Sequence, residues 1–175
     1  MKTSFYIVSL AIALTLNHGW AADSSLNITG NVVDSTCEIS SASQNFSVDL
    51  HTQTSRQFSA QGSVSEMVSF SVTLSACGSA ATGVKLGFNG VTVTPDSPLL
   101  KNSAGGGAAD GIAIQILNAA KEVVFVNQDL ASLEWNPLEA GSNNILHFYA
   151  RMIAHTYPVI AGQVSATATI ILEFQ

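Results

Sequence analysis

Charge is scarce in this chain, and positive charge scarcest. Lys and Arg together number 6 in 175 residues, against 12 Asp and Glu, for a formal net charge of −6. The basic residues Lys2, Arg56, Lys85, Lys101, Lys121 and Arg151 stand far apart. No basic stripe or run exists, which excludes the electrostatic footprint of a protein that binds nucleic acid or an anionic membrane surface. Cysteine is nearly absent too: only Cys37 and Cys77 occur, and neither has a Cys or His neighbour at zinc-ligand spacing. The sequence has no Gly-x-Ser-x-Gly elbow and no His-Glu-x-x-His. Gly105-Gly106-Gly107 is followed by Ala and Asp rather than by the Lys and Ser/Thr of a phosphate cradle, and reads as a loop tip. His51, His147 and His155 lack a third ligand that would make them a metal set, and the acids are scattered. No enzyme, metal or cofactor is expected.

Long apolar runs are missing except at the start. Lys2 precedes an apolar stretch from Phe5 to Leu16, then polar Asn17 and His18, then small Gly19, Ala21 and Ala22. That order is a charged n-region, a short h-region and a cleavage site. A bilayer crossing needs roughly 20 apolar residues, more than this stretch holds. We expect residues 1–21 to be a signal peptide cut after Ala21, which places Gly19 at the third position before the cut. Without Lys2, five basic residues oppose twelve acidic ones, a formal charge of −7. The product is expected to be exported and not inserted in a membrane. In an oxidising compartment the cysteine pair reads as one disulfide, stabilising by about 3–4 kcal/mol in the loop-entropy description.

What remains is rich in Ser, Thr, Val, Ala and Gly, arranged in short alternating runs. The alternation predicts strands at 26–33, 68–77, 84–88, 112–117, 122–126, 144–154 and 164–174, with a hairpin turn at 118–121. Val68, Phe70, Val72 and Leu74 share one face, as do Val84, Leu86 and Phe88. Residues 95–111, with their prolines and glycines, are expected to form a mobile surface excursion. The class is all-β and antiparallel, in one domain.

Both ends carry long apolar alternation, where most chains fray. The segments ADSSLNITGNVVDSTC (22–37), LSACG around Cys77, GFNGV at 87–91, GIAIQILN at 111–118, LHFYARMIA at 146–154 and Gly162 to Phe174 occur in order across the span after the signal. Together they resemble the chaperone–usher pilin family, closest to the minor adaptor subunits of type 1 fimbriae. One departure is Phe174 at the penultimate position, where that family usually has Tyr. The resemblance implies an incomplete immunoglobulin-like β-sandwich, lacking one strand and completed by a donor strand from another subunit. It implies a donor extension at 22–34 and a pilin domain at 35–175. The open groove would lie along the C-terminal strand, with Gly162, Val164, Ala166, Ala168, Ile170, Leu172 and Phe174 facing it. A periplasmic pilus chaperone would fill the groove first. At an outer-membrane usher, a neighbouring pilin subunit would then replace the chaperone, yielding a fimbrium on the bacterial cell surface.

The residues suit that role on physical grounds. Residues 22–34 reach about 40 Å when extended, at about 3.3 Å each. Ser24, Leu26, Ile28, Gly30 and Val32 fall on one face, with Asn27, Thr29 and Asn31 opposite. A one-residue slip would bury the amides, so register is well specified. Three aliphatic side chains contribute about 5–9 kcal/mol gross at about 1.5–3 kcal/mol each. The resemblance also extends to the short stretch between Ala22 and Cys37, which is similar to that of the family's adaptors and implies that position in the fibre. The alternatives are a major rod pilin of the same family and a stand-alone secreted carbohydrate-binding β-sandwich, which would need no N-terminal alternating strand.

Overall fold

A computed structural model of the chain describes residues 29–175. The expected signal peptide (1–21) and donor positions Ser24, Leu26 and Ile28 lie outside the described residues. Eight strands form two sheets: β1 (Glu38–Ile39), β2 (Val68–Ser75), β3 (Gly83–Gly90), β4 (Leu99–Lys101), β5 (Ile112–Asn118), β6 (Asn136–Pro137), β7 (Asn144–Ala154) and β8 (Ala168–Phe174). One sheet runs β1-β2-β7-β5-β4 and the other β6-β3-β8, and every strand pair is antiparallel. Among the described residues, helix is limited to a four-residue segment, Ser41–Gln44, and two 3-10 turns, Ser55–Gln57 and Leu130–Ser132.

Alternation sets which side chains meet between the sheets. Val72 opposes Leu146 and Phe70 opposes Phe148 across β2 and β7, while Ile116 opposes Ala150 across β5 and β7. From the other sheet, Val84, Leu86 and Phe88 are buried to 0%, 6% and 3% exposure. Phe70, Phe88 and Phe148 meet at the centre. The Phe88–Phe148 contact is edge-on at 5.2 Å between centroids, and the Phe70–Phe148 contact is stacked at 5.6 Å. The outer face of β3 is roofed as well: Leu133 lies over Gly87, and Trp135 over Gly83. The Lys85 ammonium sits 4.7 Å from the Trp135 ring centroid, so a lysine in mid-strand is nearly buried with its charge against a π face. Cys37 and Cys77 form a disulfide across 40 residues, and Asn144 Nδ2 donates to Cys77 Sγ at 3.4 Å.

Three sequence expectations change. Residues 122–126 form no strand: Val123 bridges to Leu117 on β5 and Val126 to Phe88 on β3, so this segment steps from one sheet to the other. The turn before it is present, with Lys121 at φ 64° and Asn118 N–H donating to the Glu122 carbonyl at 2.9 Å. Residues 95–111 are not a free excursion. They contain β4, whose Leu100 is 4% exposed, and they hydrogen-bond to residues 160–165. The strand expected at 164–174 starts four residues later as β8, because Gln163 and Ser165 are engaged by 102–109 before the chain joins β3.

Candidate functional site

β8 and its lead-in form the feature of this fold that is not closed off. On one side β8 pairs with β3 along its whole length, from Val84 opposite Phe174 to Gly90 opposite Ala168. Its other side has no strand partner among the described residues, and the opposing sheet ends at β1, only two residues long. The segment Asn45–Thr54, which follows the short helix, belongs to no strand. An unpaired edge beside a core leaves backbone donors and acceptors, and the side chains next to them, to solvent.

The side chains record that exposure. Val164, Ala166, Ala168, Ile170, Leu172 and Phe174 all pack against the main core cluster, yet all are only half-buried. On β3, Val84, Leu86 and Phe88, opposite Phe174, Leu172 and Ile170, are sealed. A row of six apolar residues half in the core and half out is an unfinished layer of a sandwich. Ile39, Leu50 and Phe70 contribute further half-buried apolar surface to the same cluster, and Phe46, 41% exposed, leans on Phe70 at 5.9 Å between centroids.

At the start of the C-terminal segment the opening widens into a cavity of about 450 Å³. Its walls come from four stretches: His51–Phe58, Ala109 with Ile112, Met152, and Val159–Ser165. Its floor is a second, smaller core cluster of Phe58, Ala109, Ile112, Met152 and Ala154, with Leu50, Val159 and Val164 half-buried around it. At the rim His51 adopts φ 58°, and its N–H donates to Asp49 Oδ1 at 2.8 Å. Gly162 is exposed, but a Cβ there would collide with the backbone of Gly107, Ala108 and Ala109. Only glycine lets the two segments run in backbone contact.

The far end of β8 is tied to the other terminal feature. The Thr82 N–H donates to the Gln175 carbonyl at 2.9 Å, and the Gly78 and Ala80 N–H groups donate to the Thr36 and Asp34 carbonyls at 2.9 and 3.0 Å. Asp34 and Thr36 are thus fastened to the turn 78–80, which leads into Thr82, the partner of Gln175 just after β8. Preceding them, residues 29–33 form no strand, with Val33 67% exposed and Val32 fully exposed. Asp34 lies so close to Gly78 that a Cβ on Gly78 would overlap it.

Of the sequence-assigned residues, Val164, Ala166, Ala168, Ile170, Leu172 and Phe174 pack against one core cluster, Gly162 is exposed outside β8, and Cys37 is joined to Cys77. Gly30 and Val32 are exposed and belong to no strand. The alternation did not reveal the cavity residues Phe58, Ile112 and Met152. A lone Phe58 in a polar stretch was the available signal. Among the described residues no group of three or more His, Cys, Asp or Glu is placed to hold a metal, and no helix is long and apolar enough to cross a membrane.

Comparison with known proteins points one way. The sequence profile of the fimbrial protein family matches residues 26–175. An uncharacterized fimbrial-like protein of Escherichia coli K12, YdeS, is 41% identical over 168 residues, spanning 96% of each chain. The S-fimbrial protein subunit SfaG of a uropathogenic E. coli strain is 39% identical, covering 100% of this chain and 97% of its own. Among solved structures, the P pilus rod subunit PapA superposes with a TM-score of 0.66 at 28% identity, over 79% of this chain and 99% of that one. A chain of a chaperone–usher pilus, solved in work on rod uncoiling, gives 0.64 at 29% identity, over 92% and 99%.

Proposed function

The chain belongs to the fimbrial protein family, a subunit of the chaperone–usher type with an incomplete immunoglobulin-like sandwich, and from that premise we propose that it is a minor structural subunit, an adaptor, of a type 1-like fimbria. In this reading its polymerisation is donor-strand exchange, one of the known modes of strand addition to a sheet edge. The observation that carries it is the free edge of β8 above six half-buried apolar side chains. A strand laid along that edge pairs the open backbone groups and covers the row in one step.

The direction of insertion follows from where the chain is fastened. Asp34 and Thr36 are held by the turn 78–80 that precedes Thr82, the partner of Gln175, so in this reading the subunit's own extension leaves at that end towards the next body. The incoming subunit therefore sits at the cavity end, and its extension runs antiparallel to β8. Head-to-tail contacts of this kind are heterologous and build open fibres. In that orientation the residue nearest the donor's body, equivalent to Val32, meets the cavity, and the positions equivalent to Gly30, Ile28, Leu26 and Ser24 follow towards Phe174. Before assembly a periplasmic chaperone covers the same edge, and an outer-membrane usher is the site of exchange. The finished fimbrium stands on the cell surface and serves adhesion rather than catalysis. Residues 22–34 are the donor, and 35–175 the acceptor domain.

The short extension favours the adaptor position. A rod pilin is the second reading, favoured by the likeness to the P pilus rod subunit. The test is to remove residues 22–34 and co-express the remainder with and without its chaperone. The truncated chain should be recovered bound to chaperone, be degraded or aggregate without it, and be absent from the fibre interior. Normal incorporation of the truncated chain into fibres would overturn the reading.

A further inference from the structure

The cavity at the open end of the groove depends on a side chain that lies just behind it. Asn102 follows β4 and makes four hydrogen bonds. Its Nδ2 donates to the Ala109 and Gln163 carbonyls, both at 2.9 Å, and its Oδ1 accepts from the Ala104 N–H at 3.2 Å and the Ser165 N–H at 2.9 Å. Two donors and two acceptor sites are all that a carboxamide has, and each is used. The partners fix the orientation of the amide, since carbonyls sit on the nitrogen side and N–H groups on the oxygen side.

Three of those four partners, Ala109, Gln163 and Ser165, line the cavity. One side chain thus joins the loop after β4 to the segment that opens the C-terminal strand, and both are walls of the same space. Backbone bonds add to the join: Ala109 N–H to the Gln163 carbonyl, Gln163 N–H to the Gly107 carbonyl, both at 2.8 Å, and Ser103 N–H to the Ser165 carbonyl at 2.7 Å. Ser103 Oγ also donates to the Ser165 carbonyl at 3.1 Å, but among the described residues Asn102 is the one side chain bonded to Ala109, Gln163 and Ser165 together. Without it the loop, which holds Gly105-Gly106-Gly107, and residues 163–165 keep their direct bonds but lose the four that converge on one side chain, and the cavity loses its shape before the rest of the groove does.

We infer that Asn102 is a positioning residue for strand acceptance: it holds open the cavity that receives the donor residue equivalent to Val32, and so governs that docking contact without touching the donor. This rests on the donor-strand reading and on the antiparallel register given above. Aspartate would keep the two accepting contacts and lose both donating ones, leucine would lose all four, and glutamine would carry the amide one methylene too far.

The experiment uses the full chain at high dilution and two labelled synthetic peptides. One has the sequence of residues 22–34 and the other that of residues 22–31, which ends before Val32. The wild-type chain should bind the long peptide about tenfold or more tighter than the short one, which lacks Val32, Val33 and Asp34, of which Val32 alone falls on the inward face. In Asn102→Leu that preference should fall to about twofold or less, with binding of the short peptide unchanged, while Asn102→Asp should fall between. The short peptide also reports that the groove is folded, and Asn102→Asp provides a milder variant with the same readout. Equal weakening of both peptides, or a preserved preference in both variants, would overturn the role of Asn102 alone. Failure of the wild-type chain to bind either peptide would overturn the donor-strand reading itself, and this inference with it.

Discussion

Truncating Ile170 to alanine separates a finished core from an unfinished one. Ile170 lies opposite Phe88 across β8 and β3, with its side chain on the core cluster but only half-buried. A fully buried Ile→Ala change costs about 2–5 kcal/mol, part from lost transfer and part from the cavity left behind. In the free chain half of that surface is already in water, so the cost should be about 1–2 kcal/mol. With a donor strand in place the residue is covered and the full cost applies. The difference, about 1.5 kcal/mol, appears as roughly tenfold weaker binding of the 22–34 peptide. Val84→Ala is the control: Val84 is 0% exposed already, so its loss should lower stability equally in both states and leave peptide affinity within about twofold. The assay is urea unfolding with and without saturating peptide, combined with direct titration. If Ile170→Ala destabilised free and peptide-bound chain alike, the row on β8 would not be the donor's seat, and the reasoning would fail.

Gly162→Val should push residues 107–109 away from the start of the C-terminal strand, because a Cβ there meets backbone that cannot give way. Its expected signature is a loss of about 2–3 kcal/mol in chemical denaturation, the range found for overpacking, with peptide binding weakened as well. Cys37→Ser with Cys77→Ser should cost about 4 kcal/mol in the loop-entropy description for a closure of this length. Chemical denaturation of the double variant, or of the wild type under reductant, checks this, and a change below about 1 kcal/mol would count against it.

Where the sequence was legible, local alternation was enough. β2, β3, β5 and β7 fall where period-two patterning put them, because each side chain's face is fixed by its own backbone. The segment 122–126 has the same pattern but bridges two strands in different sheets, and alternation carries no information about partners. The stretch 95–111 looked mobile from its glycines and prolines. What pins it is Asn102, bonded to residues 61 and 63 positions away, a contact that no local rule exposes. The cavity was hidden for the same reason, being assembled from four distant segments. Residues 29–33 show the reverse case: the alternation is strong, yet they pair with no strand among the described residues, and alternation alone does not supply a partner.

The most direct test of the central claim is amide hydrogen exchange along residues 164–174, with and without the 22–34 peptide. At a peptide concentration about 100 times its Kd, amides of β8 on the side away from β3 should gain about 100-fold protection. Those on the β4 edge should be unchanged. Unaltered exchange along β8, or protection that appears at β4 instead, would contradict the account.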